Sequence, residues 1–249
     1  MIARFEWGLQ GVEALSPRAG VIVIVDVLSF STAVGVAVAR GAEIAPFPYG
    51  DLAAAEFEAA RIGAVAAYPR KAAGGQLSLS PASLAKLNPG ARVLLPSPNG
   101  SRLSLATGGT PTLCGALRNA GAVARAAAQI ADGRDIAVIA AGERWSDDSL
   151  RPAIEDLLGA GAILSALPAG IDLSAEARLA ADAFRSTRPH LAETIRDCLS
   201  GRELIDRNYG DDVEIALELD ASDIVPRLLD GLYRVWSPSA AASRSTSRT

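Results

Sequence analysis

The feature that most constrains the fold is the alternation of short β-branched runs with longer stretches rich in alanine and leucine. The run VIVIV at 21–25 is typical of a buried strand, and Thr32–Arg40 predicts a helix after it. Arg92–Leu95, Thr112–Cys114 and Ile136–Ala140 predict further strands, each followed by a predicted helix. This alternation indicates a three-layer α/β fold, with a mostly parallel or mixed sheet and helices on both faces.

The pattern changes from Ser174 onward, where predicted helices follow one another, so we expect a helical C-terminal part. The length of 249 residues allows one α/β domain over residues 1–236, or two lobes at about 1–170 and 171–236. Residues 237–249 lack large apolar side chains, and they predict a flexible tail.

Charge and cysteine usage exclude several classes of partner. The formal net charge of −4 disfavours nucleic acid and anionic membranes. The apolar runs are too short to cross a membrane, and the N-terminus lacks the pattern of a signal peptide, so we expect a cytoplasmic protein. Cys114 and Cys198 lie far apart and outside any metal-binding spacing, which predicts two free thiols.

Polar residues follow the first buried strand. Asp26 comes directly after VIVIV, and Ser29, Ser31 and Thr32 lie at the start of the next helix. A carboxylate in this place could hold Mg²⁺ or attack phosphorus, while the hydroxyls and first-turn amides could bind phosphate oxygens. The same residues could instead only cap the helix. Leu28 stands where a haloacid dehalogenase would need its second carboxylate, so that family is set aside.

Two more strand ends carry polar clusters. After Arg92–Leu95, the turn Asn99-Gly100-Ser101 opens the next helix, and it could either orient a ligand or be an ordinary Asn-Gly turn. After Ile136–Ala140 come Glu143 and Arg144, then Arg151, and then Glu155-Asp156 in the first turns of a helix, where the helix dipole alone favours acids. The neighbouring arginines favour a metal and oxyanion site.

We expect these clusters to form one site, because parallel strands bring their carboxyl ends to one edge of a sheet. The expected catalytic residues are Asp26, Arg144 and Arg151. The expected Mg²⁺ ligands are Asp26, Glu155 and Asp156. The expected substrate-binding residues are Ser29, Ser31, Thr32, Asn99, Gly100, Ser101 and Glu143. The only histidine, His190, lies in the helical part, which disfavours a Ser-His-Asp triad.

The motifs resemble those of 2-phosphosulfolactate phosphatases. They occur in the same order: Asp26-Val27-Leu28 with Ser31-Thr32, Asn99-Gly100-Ser101, Asn119 in LRNAGAVA, AAGERW, LRPAIEDLLGAGAIL, Gly201-Arg202-Glu203-Leu204 and DDVEIALELDASDIVPRL. The resemblance implies an α/β fold, Mg²⁺ dependence, a small-molecule phosphate ester as substrate and a substrate-binding role for Asn119. The family's reaction converts 2-phospho-3-sulfolactate to 3-sulfolactate, a step toward coenzyme M.

The chain departs from this family pattern at several positions. Many members have Arg at the position of Ser29, and Gly-Glu-Arg where this chain has Tyr68-Pro69-Arg70. The function predicted first is a Mg²⁺-dependent phosphatase acting on a small 2-hydroxy-acid phosphate ester. The departures at Ser29 and Tyr68-Pro69 favour the alternative, a catalytically weak binding protein for a phosphorylated or sulfonated acid. No GxxxxGK[ST] or GxGxxG pattern follows these strands, which disfavours a nucleotide-binding module, and the size allows a homodimer.

Overall fold

The computed structural model describes residues 1–70 and 73–238, in which strands and helices alternate along most of the chain. The strands are β1 (Ile2–Trp7), β2 (Ala19–Val25), β3 (Glu43–Pro48), β4 (Val65–Ala66), β5 (Arg92–Ser97), β6 (Thr112–Gly115), β7 (Asp135–Ala140), β8 (Glu143–Arg144), β9 (Leu150–Arg151), β10 (Asp172–Leu173), β11 (Pro226–Leu229) and β12 (Leu232–Val235). The helices are α1 (Gly8–Leu15), α2 (Phe30–Ala39), α3 (Leu52–Arg61), α4 (Pro81–Leu84), α5 (Gly100–Leu105), α6 (Ala120–Ala131), α7 (Ile154–Ser165), α8 (Ala175–Thr187), α9 (Leu191–Asp197), α10 (Leu199–Asp206) and α11 (Gly210–Leu217).

The main sheet joins two parallel blocks through an antiparallel hairpin. In the described chain its strand order is β10-β1-β7-β2-β6-β11-β12-β3-β5-β4. The strands from β10 to β6 are parallel to one another, and so are β3, β5 and β4. The pairings β6–β11, β11–β12 and β12–β3 are antiparallel, so the two blocks run in opposite directions.

Helices cover both faces of this sheet. Val23 packs with α6 and α7 on one face, whereas Ile24 packs with Leu103 of α5 on the other. Cys114 is the register partner of Ile24 and packs against Phe30 of α2, so α2 and α5 lie on the same face. The predicted three-layer α/β fold is confirmed, with a sheet that is mixed rather than wholly parallel.

The C-terminal part contains the predicted helices, α8 to α11, but it also contributes strands that were not predicted. The hairpin β11–β12 lies in the middle of the sheet, between β6 and β3. Asp230 and Gly231 connect its strands with φ values of 51° and 79°, a conformation typical of an Asp-Gly hairpin turn. The Asp-Gly dipeptide is a sequence signal for such a hairpin. Strands of only four residues, however, show too little alternation of apolar and polar residues to support the prediction.

The prediction that the strand beginning at Arg92 ends before Pro96 is wrong, because β5 continues to Ser97. Pro96 pairs with Phe47 of β3, while β4 on the other side reaches only Val93 and Leu94. Proline is tolerated here because the strand has an open edge at this position.

The division into one domain or two lobes stays a prediction, although strands from both proposed lobes share the main sheet. The predicted tail lies outside the described residues from position 239 onward. In the part of the chain that the structure describes, no helix combines the length and apolarity needed to span a bilayer.

Candidate active site

The candidate site is centred on Asp26, which follows the fully buried strand β2. Its Oδ1 accepts a hydrogen bond of 3.0 Å from the Phe30 amide in the first turn of α2. Its Oδ2 accepts one of 2.9 Å from the Gly100 amide at the start of α5. A Cβ on Gly100 would lie 2.2 Å from the Phe30 ring, so only glycine allows this close approach.

The contact between Asp26 and Gly100 corrects the prediction that the site forms at one edge of a parallel sheet. The ends of β2 and β5 were expected on the edge of one parallel sheet, but these strands belong to blocks that run in opposite directions. A flat sheet would place their carboxyl ends at opposite edges. Asp26 and Gly100 nevertheless meet, since the Gly100 amide donates to the Oδ2 of Asp26 at 2.9 Å, so the site lies where the two blocks approach each other.

A second buried carboxylate, Asp156, joins the ends of β2 and β7. It lies in the first turn of α7, and its oxygens accept hydrogen bonds from the amides of Val27 (2.7 Å) and Gly142 (2.8 Å). The neighbouring Glu155 is also buried, and its Oε2 accepts a hydrogen bond of 3.4 Å from the thiol of Cys198. Asp156 thus fixes the backbone on which Asp26 is placed.

Glu143 and Asn99 come together as predicted, since the Nδ2 of Asn99 donates to the Oε2 of Glu143 at 2.9 Å. Asp26, Glu143, Glu155 and Asp156 are called the carboxylate cluster below. Burial raises the pKa of Asp26 to about 6, and the negative charge of Glu155 adds to this shift. Burial, followed by the charges of Asp26 and Glu155, raises the pKa of Glu143 to about 7 and that of Asp156 well above its usual range. The cluster therefore favours a bound cation or retained protons.

A cavity of about 430 Å³ opens beside Asp26. Ser29, Asn99 and Glu143 line it near Asp26, and Arg70 and Tyr209 lie elsewhere on its wall. This volume falls in the range of small-molecule sites, which are commonly concave with a few convergent polar groups.

Arg70 is held in the wall of this cavity by several contacts. Its Nη2 donates to the Ser29 hydroxyl at 2.5 Å and to the Leu79 carbonyl at 3.2 Å. Its Nε donates to Asp212 at 3.1 Å, and its guanidinium lies 5.4 Å from the centre of the Tyr209 ring. Arg70, Ser80, Asp212 and Tyr209 are called the Arg70 network below. The positive charge of Arg70 opposes the rise in the pKa of Asp26.

Three predicted substrate-binding residues lie in the supporting turns, not on the cavity wall. The Ser31 hydroxyl accepts from the Asp26 amide at 2.9 Å and donates to the Ile24 carbonyl. The Thr32 hydroxyl donates to the Val27 carbonyl, and that of Ser101 to the Leu95 carbonyl, both at 2.8 Å. Their expected position on the wall is corrected, because each hydroxyl is taken up by the backbone that carries the site.

Asn119 also lies away from the cavity. Its Oδ1 accepts from the Ala116 amide at 2.9 Å, and its Nδ2 donates to the Ile224 carbonyl at 3.0 Å. It thereby joins the turn after β6 to the segment before β11, and this contact serves the fold.

The two arginines predicted to be catalytic line neighbouring depressions, not the cavity itself. Arg144 donates to the Asp148 carbonyl at 2.7 Å and pairs with the Asp148 carboxylate at 2.9 Å, so the β8–β9 hairpin holds it. Arg151 lies against the Trp145 ring and 3.8 Å from Glu203, in a depression that Glu155 also lines. Their catalytic roles stay predictions.

Arg70 and Asp212 were not predicted as site residues. They lie 142 positions apart in the chain, so no local spacing connects them. Asp212 belongs to the acidic first turn of α11, a pattern that the helix dipole explains without any site. One signal for Arg70 was available in the sequence. Where many family members have Gly-Glu-Arg, this chain has Tyr68-Pro69-Arg70, so Arg70 stands at the position of the arginine in that pattern.

The donor atoms of the cavity suit a hard cation such as Mg²⁺, since Asp26 and Glu143 both line it with carboxylate oxygens. Among the described residues, however, no three acidic, histidine or cysteine side chains form a group that could hold a metal ion. The predicted set of Asp26, Glu155 and Asp156 is therefore not a ready ligand group, since of these three only Asp26 lines the cavity. Hydrated Mg²⁺ needs only one or two direct carboxylates, and Asp26 with Glu143 meets that requirement.

Comparison with known proteins identifies the family of the chain. The sequence profile of a family described as 2-phosphosulpholactate phosphatase matches residues 11–231. The chain belongs to this family. A relative from Methanothermobacter thermautotrophicus (strain Delta H), named 2-phosphosulfolactate phosphatase, is 31% identical over 214 residues, which cover 85% of this chain and 88% of the relative. A relative from Carboxydothermus hydrogenoformans, named "Probable 2-phosphosulfolactate phosphatase", is 30% identical over 212 residues, covering 82% and 84% of the two chains. The resemblance drawn from the sequence motifs is confirmed.

Proposed function

We propose that this protein is a Mg²⁺-dependent phosphatase that hydrolyses 2-phospho-3-sulfolactate, or a close 2-hydroxy-acid phosphate ester, to the hydroxy acid and inorganic phosphate. Family membership and the names of the two relatives support the reaction. The observation that carries the proposal is the placement of Asp26. It lies buried at the N-terminal ends of α2 and α5, in a cavity whose wall holds Arg70. The product 3-sulfolactate would serve coenzyme M synthesis, as in the family's named reaction.

Asp26 and Glu143 would hold the Mg²⁺ ion, directly or through its waters. When bound, the ion would offset charge on the phosphoryl group. Arg70 would bind phosphate or acid oxygens with the N–H groups that its protein partners leave free. Asp26 would act as an ion ligand or as the group that attacks phosphorus.

Glu143 is also suited to proton transfer. Asn99 donates to its Oε2, which leaves Oε1 to carry a proton. Burial and neighbouring carboxylates raise the pKa of Glu143 to about 7, which is near the optimum for a general acid or base at neutral pH. In a site where Asp26 alone holds the ion, Glu143 would therefore protonate the leaving hydroxyl oxygen or accept a proton from water.

The experiment is phosphate release from 2-phospho-3-sulfolactate, 2-phospholactate and 2-phosphoglycolate, with Mg²⁺ and with a chelator. We expect Mg²⁺-dependent release, fastest with the sulfonated ester. Calorimetric binding of the same esters should be measured in parallel. Binding of the esters without phosphate release from any of them would support the alternative, a catalytically weak binding protein. The motivation for that alternative is that Ser29 stands where many family members have an arginine.

A thermal unfolding series tests the ion separately from turnover. Mg²⁺ that binds only the folded state at about 100 times its dissociation constant should stabilise it by about 2.7 kcal/mol. The shift should shrink in Asp26→Asn and persist in Asp211→Asn, since Asp211 is exposed and does not line the cavity. An equal shift in the wild type and both variants would remove Asp26 from the proposed ion site.

A further inference from the structure

Asp212 is a buried carboxylate that does not line the cavity but holds a residue that does. Its Oδ2 accepts from the Nε of Arg70 at 3.1 Å, and its Oδ1 accepts from the Ser80 hydroxyl at 2.5 Å and from the Ala82 amide at 3.4 Å. Its side chain is 2% exposed. One acid on α11 thus joins the loop that carries Arg70 to the start of α4.

Arg70 is restrained on several sides. Nε and Nη2 donate to protein acceptors, and the guanidinium lies over the ring of Tyr209. Among the described residues, its Nη1 has no hydrogen-bond partner, and Arg70 lines the cavity that contains Asp26. A planar guanidinium with a free N–H edge and a fixed orientation suits binding of phosphate or carboxylate oxygens.

Position in the cavity separates Arg70 from the other arginine on the wall. Arg207 also lines the cavity, but its side chain is exposed to solvent. Arg70 is 15% exposed and touches Ser29, three residues after Asp26. It is therefore the cation best placed to meet an ester that approaches Asp26.

We propose that Asp212 is a positioning residue of the active site, which orients Arg70 so that its free N–H edge receives an anionic oxygen of the phosphate ester. This rests on the proposed function. Tyr209 directly precedes α11 and lines the cavity, and Asp212 lies in the first turn of α11, so the start of this helix supports the cavity wall. The competing possibility is that Asp212 only ties α11 to the loop around Ser80.

A double-mutant cycle separates the two possibilities, because it measures whether the effect of Asp212 passes through Arg70. The variants are Asp212→Asn, Arg70→Met and their combination, with Asp211→Asn as the matched control on the exposed side of the same helical turn. Initial rates of phosphate release from 2-phospho-3-sulfolactate give kcat and KM for each.

We expect Asp212→Asn to lower kcat/KM by about tenfold, mainly through a higher KM, as for weakening one charged hydrogen bond. In the Arg70→Met background the same change should alter kcat/KM by less than about twofold, since interacting residues are not additive. Asp211→Asn should match the wild type. A tenfold loss that persists without the Arg70 guanidinium, or wild-type kinetics in Asp212→Asn, would overturn the positioning role.

Titration calorimetry with inorganic phosphate tests the same idea without turnover. Asp212→Asn and Arg70→Met should each weaken phosphate binding by about tenfold, and the double variant should bind no more weakly than Arg70→Met alone. If the wild type hydrolyses none of the esters, the proposed function fails while this titration still decides the role of Asp212. Equal phosphate affinity in the wild type and Asp212→Asn, or no phosphate binding by the wild type, overturns it.

A variant with less risk to folding is Ser80→Ala, which removes one donor to Asp212 and leaves both charged groups in place. It should weaken phosphate binding by about threefold, as for one neutral hydrogen bond. If Asp212→Asn does not fold, as judged by its thermal transition, an unchanged phosphate affinity in Ser80→Ala counts against the proposal.

Discussion

The carboxylate cluster and the Arg70 network lie around the same cavity but are held in different ways. Backbone amides next to strand ends and helix starts bind the oxygens of Asp26 and Asp156. The Arg70 network is held largely by side chains, through the hydroxyls of Ser29 and Ser80 and the carboxylate of Asp212. The acidic part of the site is thus a product of the sheet, whereas the cationic part depends on contacts between loops and C-terminal helices.

The two groups also differ in their internal electrostatics. Burial and the negative charges within the carboxylate cluster raise the pKa values of Asp26, Glu143 and Asp156, so these carboxylates repel one another when ionised. The Arg70 network contains its own ion pair between Arg70 and Asp212. The cluster needs an external cation or proton, and the network does not.

The largest expected effect comes from removing the central charge of the carboxylate cluster. Asp26→Asn keeps the shape of the side chain, and the rate of Mg²⁺-dependent ester hydrolysis should fall by at least about a hundredfold, as for losing a main electrostatic group. The measurement is kcat with a thermal transition to show that the variant folds. Rates equal to those of the wild type would show that the reaction does not depend on the charge of Asp26, and the proposed difference in role between the carboxylate cluster and the Arg70 network would be wrong.

A second prediction concerns stability and pH at Glu143. Burial and the charges of Asp26 and Glu155 raise its pKa to about 7, so the native state binds this proton more tightly than the unfolded state does. Its favourable contribution is complete below the unfolded pKa of about 4.3 and is lost as the pH rises through about 7. Glu143→Gln cannot ionise, so between about pH 5 and pH 8 its free energy of unfolding should gain about 2 kcal/mol relative to the wild type.

Urea unfolding at both pH values, with a chelator present, checks this prediction. A difference between Glu143→Gln and the wild type that does not change with pH would show that Glu143 is not part of a repelling cluster. Added Mg²⁺ should reduce the difference at the higher pH, because a bound cation stabilises the ionised carboxylate.

The third prediction separates residues that build the site from residues that face the cavity. Asn119→Ala removes buried hydrogen bonds between the turn after β6 and the segment before β11, and it should cost about 1.5 kcal/mol of unfolding free energy. The kcat/KM of the folded protein should stay at the wild-type value. Asn88→Ala, at an exposed position, is the control for stability. A selective rise in KM in Asn119→Ala would restore the substrate-binding role expected from the family resemblance.

The smallest effect is expected at Arg144. This expectation runs against the catalytic role predicted from the sequence, because Arg144 lines a neighbouring depression and not the cavity, and it is paired with Asp148. Arg144→Met should change kcat/KM by less than about twofold, whereas Arg70→Met should cause a much larger loss. Comparable losses in the two variants would contradict the expectation that Arg70 in the cavity binds the substrate and Arg144 in the neighbouring depression does not.

The strand ends were predictable because they combine a strong apolar run with an abrupt polar residue. Asp26 after VIVIV and Glu143 after β7 could be placed in this way, and the structure brings both to one cavity. Side-chain direction was not predictable. Ser31, Thr32 and Ser101 have the same residue types as ligand-binding hydroxyls, but their short side chains bond to the local backbone. Arg70 and Asp212 are connected only by tertiary packing, which a single sequence does not reveal.

The position of the β11–β12 hairpin has a consequence for how the chain is made. Among the described strands, β11 and β12 come last in the sequence but lie between β6 and β3, so the two blocks cannot share a sheet until residues 226–235 have been synthesised. Until then, β6 and β3 would each present an unpaired edge, which is a template for association with other chains. A truncated chain lacking the hairpin would therefore expose both edges, and the contact between Asp26 and Gly100 would lose the strands that join its two blocks.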